Sequence, residues 1–86
     1  MTWAVLIGKT ATKALRSLPP ATKERILKAL YRLADDPFSS ALDIKKLTAS
    51  RKWRLRVGDF RAVYIPDGEN LVVLVIDIFN RREGYR

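Results

Sequence analysis

A run of basic side chains between residues 51 and 61 carries the strongest chemical signal in this sequence, with five cations and one carboxylate. Lys52, Arg54 and Arg56 alternate with apolar residues, which predicts a strand whose charged side chains share one face. Cations two residues apart on a strand are separated by about 7 Å, close to the spacing of successive RNA phosphates. Because like charges this close repel each other, we expect a polyanion to bind there. The alternative is a solvated face whose charges prevent strand-to-strand aggregation.

Further cations follow a predicted tight turn at Gly58-Asp59 and lie in the tail that begins at Asn80. A hairpin would return Arg61 beside the basic strand, and its planar guanidinium suits phosphate oxygens. The tail combines three arginines with one tyrosine, a composition that can neutralise phosphates while stacking a base. The other interpretations are a structural ion pair for Arg61 and a frayed tail whose tyrosine covers the core edge. The acids that could pair with Arg61 are Asp59, Asp77 and Glu83.

The composition excludes several chemistries. The chain has no histidine and no cysteine, which rules out Ser-His triads, histidine-pair ribonuclease chemistry, disulfides and thiolate metal sites. The acidic residues are scattered and give no paired spacing for a two-metal site. We therefore expect neither a metal nor a cofactor. A net charge of +8 on 86 residues indicates an anionic partner: nucleic acid, an acidic protein or an anionic membrane surface.

The first half of the chain predicts one strand followed by a helical hairpin. Residues 2–7 have the alternating apolar pattern of a strand. Apolar residues then recur with helical spacing behind Thr10 or Thr12 as the N-cap. Pro19-Pro20 ends this helix and begins a second one, which Asp36-Pro37 stops. The apolar stripe of the second helix consists of Ile26, Leu27, Leu30, Leu33 and Ala34.

The second half predicts a three-stranded antiparallel meander. We expect residues 38–50 to be irregular. Residues 52–57 and 60–65 form a hairpin around the tight turn, and residues 71–79 are a nearly continuous apolar run, expected to be a central strand buried on both faces. An N-terminal strand, a helical hairpin and a meander together indicate an α+β fold. The length allows a single domain, residues 1–86.

Two segments together resemble the RelE/ParE toxin superfamily. Residues 53–64 read Trp-Arg-Leu-Arg-Val-Gly-Asp-Phe-Arg-Ala-Val-Tyr, and after an apolar strand residues 80–86 read Asn-Arg-Arg-Glu-Gly-Tyr-Arg. The break between the helices at Pro19-Pro20 and Lys46-Leu47 ahead of the basic strand are similar too. The resemblance implies a microbial-ribonuclease-like sheet and pairing with an antitoxin. For RelE-like members it implies cleavage of messenger RNA in the ribosomal A site.

The resemblance also implies which residues act, with attack of the ribose 2′-hydroxyl on the adjacent phosphate as the reaction. The matching catalytic positions are Arg54, Arg56, Arg61, Arg81 or Arg82, and Tyr85. The flanking cations expected to bind RNA are Lys45, Lys46, Arg51, Lys52 and Arg86. One branch of the family has lysines where this chain has Arg54 and Arg56, and arginine does not deprotonate in proteins. Lys52, the only nearby lysine on this interpretation, Tyr85 or the ribosome would then supply the base.

The expected partners are a cognate antitoxin, the ribosome and messenger RNA, with no membrane and no small-molecule cofactor. No positive region precedes the short apolar run at the N-terminus, so we predict no signal peptide and expect a cytoplasmic protein. Two alternatives stay open. One is a ParE-like toxin of the same fold that poisons DNA gyrase, and the other is a degenerate toxin that only binds antitoxin and RNA.

Overall fold

The computed structural model describes residues 2–82 and contains two helices and five strands within them. Tyr85 and Arg86, two of the predicted site residues, lie outside the described residues. The elements in chain order are β1 (Ala4–Ile7), α1 (Lys9–Arg16), α2 (Pro20–Asp35), β2 (Ile44–Lys46), β3 (Trp53–Val57), β4 (Phe60–Asp67) and β5 (Val72–Asn80). The predicted α+β order of a strand, a helical hairpin and a meander is confirmed.

The two helices meet at the predicted proline pair. Pro20 is the first residue of α2, where its missing N–H costs no helical hydrogen bond. Helix α1 begins earlier than predicted, with Gly8 as its N-cap and without a side-chain cap. Thr12 does not cap it, because its hydroxyl donates to the Ile7 carbonyl at 3.3 Å. No helix within residues 2–82 has the length and apolar character needed to cross a membrane.

The sheet has the strand order β1-β5-β4-β3-β2. Strand β1 runs parallel to β5, and every other neighbouring pair is antiparallel. Strand β2 lies in the stretch that the sequence predicts to be irregular, so the meander has four strands rather than three. A strand of three residues, two of them lysines, is too short for its alternation to be recognised in the sequence.

Both helices cover one face of the sheet, and the hydrophobic core lies between the helices and that face. The buried stripe of α2 contains Ile26, Leu30 and Leu33, as its helical spacing predicts. Across from it, Tyr64 is fully buried and its hydroxyl donates to the Pro37 carbonyl at 2.8 Å. Burial raises the pKa of Tyr64 well above its ordinary value, and the nearby Asp36 adds to this rise. We call the opposite side of the sheet, which carries neither helix, the open face.

A bulge in β5 changes which of its side chains face the helices. Tyr64 pairs with Val75 but its neighbour Val63 pairs with Asp77, so Ile76 is an extra residue on β5. After the bulge, Ile78 is buried against the helices while Asp77 shares the open face with Val63. The prediction of a central strand buried on both faces is wrong. Strand β5 lies second from the edge, and its open-face residue Leu74 is 37% exposed.

Candidate nucleic-acid interface

Four cations from three adjacent strands form a block on the open face. Lys45 of β2 lies opposite Arg54 of β3, and Arg56 of β3 lies opposite Arg61 of β4. Side chains directly opposite each other in antiparallel strands share a face, with Cβ atoms about 5 Å apart. The structure therefore brings together Arg54, Arg56 and Arg61, three of the predicted catalytic residues. We call these three arginines and Lys45 the cationic block.

Arg61 differs from its neighbours because it is only 5% exposed. Its Nη1 donates to the carbonyls of Gly58 and Phe60, at 3.2 and 3.1 Å, so the guanidinium lies against the β3–β4 turn. Its Nε is buried and has no hydrogen-bond partner within residues 2–82. None of the ion pairs in this part of the chain involves Arg61. A buried cation with an unused donor is costly to keep, and the Nε of the neighbouring Arg54 is also buried without a partner in this part of the chain.

One carboxylate lies at the edge of the cationic block. Asp43, just before β2, accepts from Arg54 Nη2 at 3.3 Å, and its other oxygen lies 3.9 Å from Arg56 Nε. All three side chains are partly exposed, at 56% for Asp43, 27% for Arg54 and 50% for Arg56. Exposed ion pairs contribute about 1 kcal/mol or less, so an incoming phosphate can compete with Asp43 for both arginines.

The bulge in β5 adds an aromatic ring and a carboxylate that sequence reasoning did not place at the site. Phe79 lies opposite Arg61 and Asp77 lies opposite Val63, both on the open face. Phe79 is half-buried and in position to stack a base beside the cations. The Asp77 carboxylate accepts from the Ile78 N–H at 2.8 Å. No sequence signal identifies the bulge, and without it strict alternation would turn both side chains toward the helices.

The end of β5 continues toward the same turn. The Arg81 N–H donates to the Asp59 carbonyl at 2.7 Å, which places the Arg81 backbone beside the turn that holds Arg61. The Arg82 N–H donates to the Asn80 side chain at 2.9 Å, and both arginines are exposed. Of the two tail arginines named as alternatives, Arg81 is the one two residues beyond Phe79, in step with the open face.

Three other predicted RNA-binding cations, Lys46, Arg51 and Lys52, are not part of the cationic block. Lys46 lies opposite Trp53 and so shares the helix-covered face, at the exposed edge strand. Lys52 precedes β3, and its carbonyl accepts from Leu47 N–H at 2.9 Å. Arg51 lies near Asp67, where it helps to lower the pKa of that carboxyl, although hydrogen bonds from Asn70 contribute more.

Arg51 and Arg61 are consequently at opposite ends of β4. Asp67 ends this strand and Arg61 is its second residue, so the two regions are about 20 Å apart at the usual rise per residue.

Residues 2–82 contain no group of three or more acidic side chains placed to hold a metal ion. The chemistry available at and beside the cationic block is therefore that of cations, one aromatic ring and the carboxylates of Asp43 and Asp77.

Comparisons with known proteins agree with the fold. The family model for the ParE toxin of type II toxin–antitoxin systems, parDE, matches residues 5–85. A protein of Methanocaldococcus jannaschii named as a candidate toxin, RelE1, is 31% identical over 86 residues, which cover 98% of this chain and 94% of that protein.

Solved structures give the same result. A chain of the archaeal RelE–RelB complex from Pyrococcus horikoshii OT3 superposes with a TM-score of 0.82 and 32% identity, covering 94% of this chain and 97% of that one. A chain of the intact E. coli RelBE toxin–antitoxin complex gives a TM-score of 0.75 and 26% identity, covering 91% and 95%. The resemblance proposed from residues 53–64 and 80–86 is confirmed, and this chain is a member of the RelE/ParE superfamily, the toxins of type II toxin–antitoxin systems.

Proposed function

We propose that this toxin is a ribosome-dependent endoribonuclease that cleaves messenger RNA in the A site and so inhibits translation. The observation that supports this most is Arg61, a nearly buried arginine beside Arg56 on an otherwise accessible face, with an Nε that no group in residues 2–82 satisfies. That nitrogen is covered in the free protein, so a phosphate accepts from it once the guanidinium turns outward from the β3–β4 turn. Binding of RNA would thus remove an unfavourable feature of the free protein.

The cationic block holds the scissile phosphate and its neighbour. Arg54 and Arg56 exchange Asp43 for phosphate oxygens, because each guanidinium can then form its own two-pronged contact with a phosphate instead of sharing one carboxylate. Phe79 stacks on the adjacent base. These contacts fix the ribose and phosphate in the in-line arrangement that the reaction requires.

The reaction is transesterification. The 2′-oxygen attacks the neighbouring phosphorus, the bond to the 5′-oxygen breaks, the leaving 5′-oxygen takes up a proton from water, and a 2′,3′-cyclic phosphate remains. Arg61 stabilises the charge that develops on the phosphorane, a contribution of about 3 kcal/mol by analogy with oxyanion donors. No metal ion takes part in this scheme.

Lys45 is our candidate for the base that removes the 2′-hydroxyl proton. The expectation that Lys52 is the only nearby lysine is wrong, because β2 places Lys45 directly opposite Arg54 on the open face. An amine can accept a proton, whereas a guanidinium cannot. General-base catalysis contributes about 10²–10⁴-fold, and the ribosome supplies the remaining orientation of the message.

The partner that restrains the toxin is a cognate antitoxin. The solved relatives from P. horikoshii and E. coli are RelE–RelB and RelBE complexes. For this chain we propose an acidic antitoxin in the same cytoplasm that covers the cationic block, since a protein of net charge +8 attracts an anionic partner.

The test is a translation reaction with purified ribosomes, a defined message and the purified toxin, in which primer extension maps the ends of the cut RNA. We expect cuts within the codon in the A site, and no cuts when the ribosomes are left out. Intact message on ribosomes that have bound the toxin would instead identify a degenerate toxin that only binds.

The gyrase poison of the ParE branch is the second candidate, because the matching family model carries the ParE name. A parallel reaction with DNA gyrase and supercoiled plasmid distinguishes the two. Accumulation of linear, cleaved DNA together with intact message would overturn the ribonuclease proposal.

A further inference from the structure

A second basic surface lies on the helix-covered side of the sheet. It is a groove of about 340 Å³ between α2, the segment 41–43 that precedes β2, and residues 55–58 at the end of β3. Arg25, Lys28 and Arg32 form one wall and are three and four residues apart, so they share one side of the helix. The floor contains Ala29 and Leu42. We call this surface the α2 groove.

The α2 groove has few negative charges to balance its cations. Arg56 adds a fourth cation to its lining, and Asp43 is the single lining carboxylate, already paired with Arg54 at 3.3 Å. Lys28 pairs with Glu24 at 3.3 Å across one turn of helix, an exposed pair of little strength. Arg25 and Arg32 form no ion pair with any residue from 2 to 82.

Arg25 reaches across the groove to the β3–β4 turn. A Cβ built on Gly58 would lie 3.2 Å from Arg25 Nη1, so the guanidinium rests against the glycine backbone. The carbonyl of the same glycine accepts from Arg61. Gly58 is therefore the boundary where the α2 groove meets the open face.

The spacing of the wall suits a nucleic-acid backbone. Seven residues of helix separate Arg25 from Arg32, which is about 10 Å along the axis. This distance exceeds the spacing of successive phosphates, so the wall is long enough to contact two of them. The side chains are exposed and long, so their cationic ends can reach phosphate oxygens.

We propose that the α2 groove binds backbone phosphates of RNA outside the cleaved nucleotide. This inference rests on the proposed function, since it names a second RNA contact of a ribosome-bound nuclease. The phosphates belong either to ribosomal RNA or to message flanking the cut. The groove and the cationic block then hold RNA on both sides of the β3–β4 turn.

The test compares two triple variants that remove equal charge. R25A/K28A/R32A removes the three cations from the wall of the α2 groove, and K9A/K13A/R16A removes three cations from the exposed side of α1. Alanine favours helix, and circular dichroism verifies that both variants remain folded. The affinity for purified ribosomes and for a labelled oligouridylate is measured over a range of salt concentrations.

We expect the α2 variant to lower the slope of log affinity against log salt by about two, which corresponds to about 100-fold weaker ribosome binding near 0.1 M salt. The α1 variant should change the slope by much less. A loss limited to ribosomes assigns the groove to ribosomal RNA, whereas a loss on both probes assigns it to flanking message. Equal losses in the two variants would overturn the proposal. So would an α2 variant that loses affinity for the antitoxin while keeping its RNA affinity.

Failure of this inference is distinguishable from failure of the proposed function. If the unmodified toxin neither binds ribosomes nor cuts message, the nuclease assignment fails and the groove has no RNA to hold. If the toxin cuts message and the α2 variant keeps the full salt slope, only the groove assignment is wrong.

Discussion

Replacement of Arg61 by methionine separates its place in the fold from its proposed role in catalysis. Methionine retains an unbranched apolar stem of similar length but removes the charge and all donors. Two bonds to the turn carbonyls of Gly58 and Phe60 are lost. The buried Nε that lacks a partner in the described chain is lost with them.

These losses have opposite effects on the free energy of unfolding. The two hydrogen bonds share one nitrogen and are long, at 3.2 and 3.1 Å, and the Gly58 carbonyl belongs to an exposed turn that water can reach. Their loss costs about 1–3 kcal/mol. Removal of a buried, partly unsatisfied guanidinium stabilises the fold by a similar amount. The expected net change is within about 2 kcal/mol.

The effect of Arg61→Met on the cleavage rate is larger than its effect on stability, and the rate can only fall. Loss of a donor that stabilises developing charge lowers the rate by about 10²–10³-fold. Domains of this size commonly have 5 kcal/mol or more of stability, so the variant stays folded while its activity falls. Urea unfolding gives the first quantity, and single-turnover cleavage on programmed ribosomes gives the second.

Two results would refute this reasoning. Cleavage within tenfold of the unmodified toxin would mean that Arg61 does not act on the phosphate. A loss of stability well beyond about 2 kcal/mol would mean that the fold requires the hydrogen bonds from Arg61 to the turn. Its unpaired Nε would then be no evidence for a functional role.

The remaining predictions concern Lys45 and Tyr64. Lys45→Arg should keep RNA affinity yet lower the single-turnover rate by about 10²–10⁴-fold, since arginine retains the charge but accepts no proton. Lys46→Arg on the other face is the control, and full activity in the Lys45 variant would exclude it as the base. Tyr64→Phe should destabilise the fold by about 1–3 kcal/mol at neutral pH because the Pro37 carbonyl loses its donor. Burial raises the pKa of Tyr64, so its stabilising effect is complete below the ordinary tyrosine pKa of about 10 and declines above it. Urea unfolding at neutral and alkaline pH should therefore show a smaller difference at high pH, with the exposed Tyr31→Phe as control, and an unchanged difference would contradict the assignment.

The sequence predicts the basic hairpin well because its signals are local. Period-two alternation around Arg54 and a glycine at the turn define strand, face and connection together, and Gly58 has the positive φ of 58° that such a turn requires. The same local pattern places Arg61 beside the basic strand. The local pattern does not predict that Arg61 is buried, because its burial depends on the neighbouring strands.

The errors come from features with no local signal. Strand β2 has only three residues and forms by pairing with β3, so Lys45 could not be placed opposite Arg54. The bulge at Ile76 depends on how β5 fits against β4, and it decides that Phe79 faces outward. Both residues join the site through the register of pairing between neighbouring strands, which composition and periodicity do not report.

The parallel pairing of β1 with β5 joins the first of the five described strands to the last of them. During synthesis, β1 has no neighbour in the sheet until β5 has left the ribosome, and α1 lacks the strand against which it packs. Long-range pairing of this kind delays folding until β5 has been made. Synthesis of β5 therefore sets the earliest moment at which the newly made toxin can harm its own cell.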